Sequence, residues 1–544
     1  MRPLWMVIAA LALGVAVSPV VTAGQPPGQH DHGTPSGRLG TVHVDTSCAP
    51  AVQKEFDRGL ALLHSFWFSA AIESFTTVLK GDPRCVMAHW GIAMSWWGNP
   101  FAGFRSPAAL NAGLLAIDAA KASGAGTDRE KAYVAAVELL FRDASTVDQR
   151  ARTVAYEKAM EALAASHPAD IEARIFYALA LDQTALPTDK TYANQLKAAG
   201  ILEQEVTRQP EHPGLAHYII HSFDVAALAP RALDAARRYA KIAPDAAHAL
   251  HMPSHTFTRV GSWQESIDTN LASAAAARKD NATSEELHAM DYQVYAYLQT
   301  AQDTAARRTV DASSALGAKV QTAGAGNAAP PQAGYYALAA IPARYALERD
   351  AWGEAAALIP RQTPFAWADA VTHFARALGA ARSGNPAAAR QDIDRLAALR
   401  DALHKTNDVY WTEQVEIQRR AATAWLTLAE GRQAEALTLM REAADREDAT
   451  DKAAVTPGPI KPARELLGDM LLQLNRPAEA LVEFETTLKK EPNRFRATYG
   501  AARAAEAAGQ GQKASAHYAS LLQISKSADQ PGRRELGEAR QSRR

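Results

Sequence analysis

The chain has 544 residues, ample for a sizeable buried core, and its 47% hydrophobic and 22% charged side chains exclude wholesale disorder and collagen-like or mucin-like architecture. Lysine and arginine number 58 against 59 aspartates and glutamates, a formal charge of −1, so the basic excess that marks nucleic-acid binding is missing.

In chain order, Arg2, an apolar run from Leu4 to Val17, and then Val21-Thr22-Ala23 predict a secretory signal peptide over 1–23, cleaved after Ala23. The run is too short for a permanent bilayer helix, and no later stretch is long and apolar enough to be one, so an exported protein without an integral membrane segment is expected. No cysteine follows the run, which argues against a lipid anchor. Residues 24–46 are Gly-, Pro- and His-containing without an apolar period and read as a flexible leader. Cys48 and Cys85 are the only cysteines. In an oxidising compartment one disulfide is the economical reading, and two separate buried thiols are the alternative. Two cysteines are too few and too far apart for a cysteine zinc cluster.

From residue 47 onward apolar and alanine residues recur three and four apart, with Pro or Gly punctuation, which predicts many short antiparallel helices. Gly59, Leu62, Ala71, Phe75 and Pro83 are separated by 3, 9, 4 and 8 positions, and Gly468, Leu471, Ala480, Phe484 and Pro492 repeat those spacings. Ala514 and Tyr518 keep the register 34 residues after Ala480 and Phe484, and weaker copies fall at Gly261–Trp263, Trp352–Ala356, Gly384–Ala389 and Gly431–Ala436. The template resembles the tetratricopeptide repeat, a 34-residue helix-turn-helix unit. That resemblance implies an all-α, right-handed superhelical solenoid of helical hairpins, read here as two lobes, 47–315 and 333–525. The Gly/Ala/Pro-rich stretch 316–332 is the expected loop or linker between them, Val455-Thr456-Pro457-Gly458-Pro459 is a second break, and 526–544 reads as a disordered basic tail.

Seven of the 16 histidines fall between His212 and His288. His217 and His221 lie one turn apart on one helix face, with Asp224 three residues further on. His248, His251 and His255 stand at offsets 0, 3 and 7, as do His288, Asp291 and Tyr295. His251 is 34 positions after His217 and His255 is 34 after His221, so stacked hairpins should bring these groups face to face. Imidazole with carboxylate suits transition metals. The candidate centre uses His217, His221, His251 and His255, with Asp224, His288, Asp291 and His248 as further ligands or supports, and zinc and copper are the first candidates. Pro253 should kink the segment that carries His255. The resemblance places the patch in the concave groove, with Tyr218 and Tyr295 beside it. A metal-free polar groove for a peptide, and plain interhelical hydrogen bonding, are the competing readings.

Tyr218 stands where a zinc protease of the His-Glu-x-x-His class keeps its general base, so that mechanism finds no support, although Glu285 and Glu286 are nearby carboxylates. Met87, Trp90 and Met94 share a face and read either as a groove that suits copper(I) or as packing between helices. Thr188-Asp189-Lys190-Thr191-Tyr192 is a polar turn before a helix. No phosphate loop, Gly-x-Ser-x-Gly elbow or dinucleotide fingerprint occurs, so a nucleotide cofactor is not expected.

The segments His217-Tyr218-Ile219-Ile220-His221, His251-Met252-Pro253-Ser254-His255 and Val455–Pro459 resemble those of exported bacterial tetratricopeptide-repeat proteins. The resemblance implies a periplasmic or secreted scaffold with a protein or peptide partner and supplies no catalytic residue. A metal-dependent hydrolase or oxidoreductase built on the same cluster, and a pure assembly adaptor, are the alternatives.

Overall fold

The computed structural model describes residues 37–320 and 328–542. The expected signal peptide and its cleavage site, most of the leader, and the Gly-rich centre of the expected linker lie outside the described residues. What is described is all-α, a succession of short helices in which each packs on the next as an antiparallel hairpin, with no strand among the described residues.

The repeated template has a direct packing cause. The Phe75 ring of the Phe68–Gly81 helix lies between Gly59 of the preceding helix and Gly91 of the following one. A Cβ at either glycine would approach the ring to 2.8 Å or 2.4 Å. Phe484, with Gly468 and Gly500 on its two sides, repeats the arrangement at 2.8 and 2.5 Å. Leu62, Ala71, Leu471 and Ala480 are fully buried around these rings. The small residue allows close helix approach and the aromatic fills the space, which is the tetratricopeptide-like solution to stacking hairpins.

Three segments depart from the sequence reading. Residues 37–46, expected as leader, lie extended on the helices, with Leu39, Val42 and Val44 buried and the Thr41 amide donating to the Glu211 carbonyl at 2.9 Å. A disulfide joins Cys48 to Cys85 and ties this segment to the Val86–Trp97 helix. At the other end the expected disordered tail forms a helix, Arg534–Gln541, because Leu536 and Ala539 give it an apolar face and Glu535 pairs with Arg496 at 2.7 Å. Between the lobes, a cluster containing Val294, Leu338 and Ile341 crosses the expected junction, so the helices on either side share a packed interface. No helix among the described residues is long and apolar enough to cross a membrane.

Candidate metal centre

Three consecutive inner helices carry the histidines. Pro213–Ser222 holds His217 and His221, and Thr283–Gln299 holds His288. Between them, Ala247–His251 and Pro253–Arg259 form two helical pieces separated by Met252, and they hold His248, His251 and His255. Pro213 and Pro253 each sit in a first turn, where their missing N–H leaves no partner unsatisfied. The break at Met252 is the interruption that Pro253 predicts.

The six rings form two sets of three, in each of which one ligand nitrogen per ring lies within 4.8 Å of the others. In the first, His217 Nε2 is 3.1 Å from both His221 Nε2 and His248 Nε2. In the second, His251 Nε2 is 3.1 Å from His255 Nε2, and the His251 and His288 rings are 4.4 Å apart. Ligand nitrogens 2.0–2.1 Å from one ion at angles between 90° and the tetrahedral value are separated by about 2.9–3.4 Å. The observed spacing falls in that window.

Tautomers follow from the outer partners. His217 Nδ1–H donates to the His64 carbonyl at 2.7 Å, and His255 Nδ1–H donates to Asp224 Oδ2 at 2.8 Å. His251 Nδ1–H donates to Asn270 Oδ1 at 2.7 Å, and the Asn270 amide is oriented by its own donation to the Ser266 carbonyl. With Nδ1 carrying the proton, the Nε2 atoms of His251 and His255 turn lone pairs toward each other and have no proton to share. Protonation is not the remedy. Burial pulls His217 and His288 down to about 3, and, with the neighbouring rings adding to it, holds His221, His248 and His251 well below the usual imidazole range. A cation between the nitrogens would relieve the arrangement, and hydrogen bonds that fix ligand rings from behind are the usual support of a metal site.

The residues of the expected four-histidine site, His217, His221, His251 and His255, are instead divided between two three-histidine groups, each of which could hold an ion. Each takes a pair four residues apart on one helix and a single ring from the next inner helix: His248 with the first pair, His288 with the second. His248 and His251 lie on the same face of one short helix and are divided between the two sets, His248 with the pair on the preceding inner helix and His251 with His255 and the ring on the following one.

Asp224 touches His255 from behind instead of standing among the ligand nitrogens, and it also binds Arg259 at 2.9 Å and Lys452 at 3.0 Å. Burial would raise its pKa, but Lys452, Arg259 and His255 hold it well below the usual carboxylate range. Asp291 is no ligand: its Oδ1 accepts from buried Arg344 at 2.8 Å. Tyr295 belongs to an ionic group with Glu491 and Arg494, at 3.2 and 3.1 Å. The Tyr218 hydroxyl meets His64 Nδ1 at 3.0 Å. Met87, Trp90 and Met94 are buried packing residues, Trp90 edge-on to Tyr133 and Phe176, and they do not line an open groove. Glu286 binds Arg278 and Glu285 faces the Ala328–Ala329 backbone, so neither serves the histidines as a base.

The patch is covered. The segment between the Gln433–Asp448 and Ala463–Gln473 helices crosses the inner helices as a strap. Asp451 binds Lys190 at 2.8 Å, and its amide donates to the Pro187 carbonyl at 3.1 Å. Lys452 reaches Asp224, and the Tyr292 hydroxyl, itself 3.3 Å from His255 Nε2, lies 3.2 Å from the Thr456 carbonyl. Arg344 closes the strap with bonds to Thr456 Oγ1 at 2.7 Å and to the carbonyls of Gly458 and Pro459 at 3.0 and 2.9 Å. Five of the six histidines are less than a tenth exposed. In place of the open groove expected from the repeat resemblance, the rings are buried and packed against one another.

Sequence reasoning did not reach His64, Asn270, Arg344 or Lys452, because their roles depend on contacts across 19 to 228 positions that no local pattern carries. Phe66 and Phe101 were missed as well. They pack on His248 and His221 with ring centres 5.5 and 4.2 Å apart. A third group, His64, Glu172 and His212, is of another kind. The carboxylate sits between the two rings at 2.9 and 2.7 Å, and the second nitrogen of His64 is taken by Tyr218, while His212 Nδ1 is buried without a partner, so the ring nitrogens are bridged by a carboxylate and do not converge on one point.

No family model matches the chain, and no curated protein matches it. Among solved structures it is similar to a chain of "Structure of Naa15/Naa10 bound to HypK-THB", with 11% identity and a TM-score of 0.24, over 87% of this chain and 70% of that one.

Proposed function

We propose that this chain is an exported helical-repeat protein that holds a transition metal in a buried histidine centre. The observation that carries the reading is the facing of His251 Nε2 and His255 Nε2 at 3.1 Å, each turned inward as a lone pair by an outer hydrogen bond from Nδ1, beside a second set in which His217 Nε2 is turned inward in the same way. Plain interhelical hydrogen bonding does not account for the His251–His255 contact, since two acceptors face each other there. A peptide-binding role for the same residues is disfavoured by their burial. A protein or peptide partner would meet the outer helix faces. The apolar run from Leu4 to Val17 and the Cys48–Cys85 disulfide support export to an oxidising compartment. Three nitrogens per set leave a coordination position open, which keeps an enzymatic use of the metal within the same reading.

The test is elemental analysis of the untagged mature chain, purified without chelator, beside a His217→Ala/His251→Ala variant. Copper or zinc near whole-number stoichiometry in the parent and its loss in the variant is expected. A metal-free parent that takes up neither ion on titration sinks the proposal.

A further inference from the structure

The two three-histidine sets are not independent patches. The His248 and His251 rings are 6.1 Å apart and those of His221 and His255 are 6.2 Å apart, so the sets share one pocket. Each set is complete in itself, with three nitrogens mutually within 4.8 Å. The charge of the surroundings bears on which ion fits. All six ligands are neutral, and no carboxylate belongs to either set. The carboxylate touching the cluster, Asp224, is shared by Arg259 and Lys452, and Asp291 is paired with Arg344, so neither carboxylate is left free to offset added positive charge. Two divalent ions at a given separation repel four times as strongly as two monovalent ions, and buried charges are screened much less than exposed ones. Imidazole is a good ligand for copper.

We infer that the six histidines form a paired site for two copper(I) ions, one bound by His217, His221 and His248 and the other by His251, His255 and His288. The inference rests on the metal-binding reading above and adds to it the number, the partition and the charge of the ions.

The experiment is anaerobic titration of the full mature chain with copper(I) in competition with bicinchoninate, and with zinc(II) in parallel. It compares the parent with His221→Phe, His288→Phe and the double variant. His288 Nδ1 has no partner, and His221 already packs against an aromatic ring, so phenylalanine keeps the volume and forfeits little besides the ligand. Far-UV circular dichroism checks that each variant is folded, and the corresponding His→Gln variants replace any that is not. Two copper(I) ions per parent chain, one in each single variant and none in the double variant are expected. One ion per parent, abolished by either single variant, would overturn the pairing while metal binding itself stood. Two zinc ions with no copper(I) would overturn the choice of ion. Uptake of neither metal would remove this inference and the metal-binding reading together.

Discussion

Glu285 lies in the first turn of the helix that carries His288, buried, with its carboxylate accepting from the backbone amides of Ala328 and Ala329. Burial outweighs those hydrogen bonds and pushes its pKa from 4.5 up to about 7. The folded chain then binds this proton more tightly than the unfolded chain. Stability falls as pH rises through the interval between the two values, and the full cost is present above about 7. Glu285→Gln keeps an acceptor oxygen and removes the charge. The variant should equal the parent in unfolding free energy at pH 4 and exceed it by roughly 2–3 kcal/mol at pH 8.5, as read by denaturant titration. A pH-independent difference would show that the carboxyl stays ionised in the folded state. The same scale explains what the sequence disclosed of the centre. His217 and His221, or His251 and His255, declare themselves by a spacing of four, which is a property of one helix. Asp224 and Asp291 share that spacing logic and still fall outside the ligand sets, because Arg259, Lys452 and Arg344 arrive from other parts of the chain and claim their charges.

At the level of elements, the hairpin stacking was legible because its cause is local. Phe484 must find a hole, and the hole is the missing side chain at Gly468 on one flank and Gly500 on the other. Gly500→Ala puts a Cβ 2.5 Å from the Phe484 ring in a fully buried layer, so the ring or a helix must shift. Overpacking of this kind costs about 1–3 kcal/mol. Gly511 starts a second helix and meets nothing within 4 Å, so Gly511→Ala should leave stability unchanged or raise it slightly. Chemical denaturation of the pair separates the two cases, and equal stabilities would mean that the close approach is not constraining. The terminal elements were misread for a related reason. The helix Arg534–Gln541 is short and its sequence is mostly polar, and only the neighbours that receive Leu536, Ala539 and Glu535 make it worth forming.

For the molecule as a whole, the feature that converts a repeat array into a site is the strap over 449–462. Its Pro- and Gly-rich composition marked a break in the helical pattern, but a break says nothing about where the chain goes. Asp451 meets Lys190 across 261 positions, and Arg344 meets Pro459 across 115. Such contacts join distant hairpins, so the strap is both a cover for the histidines and a brace between parts of the array that do not otherwise follow one another. Replacing Val455-Thr456-Pro457-Gly458-Pro459 by five Gly/Ser residues removes the Thr456 hydroxyl and leaves a chain with far more freedom to leave the surface. The helices retain their own hairpin contacts, so far-UV circular dichroism should change little. Reaction of the metal-free chain with diethylpyrocarbonate, mapped by mass spectrometry, should move from the exposed histidines alone to include His251, His255 and His288. If those three stay protected in the variant, the neighbouring helices and not the strap close the pocket, and entry of an ion must then depend on separation of the inner helices themselves.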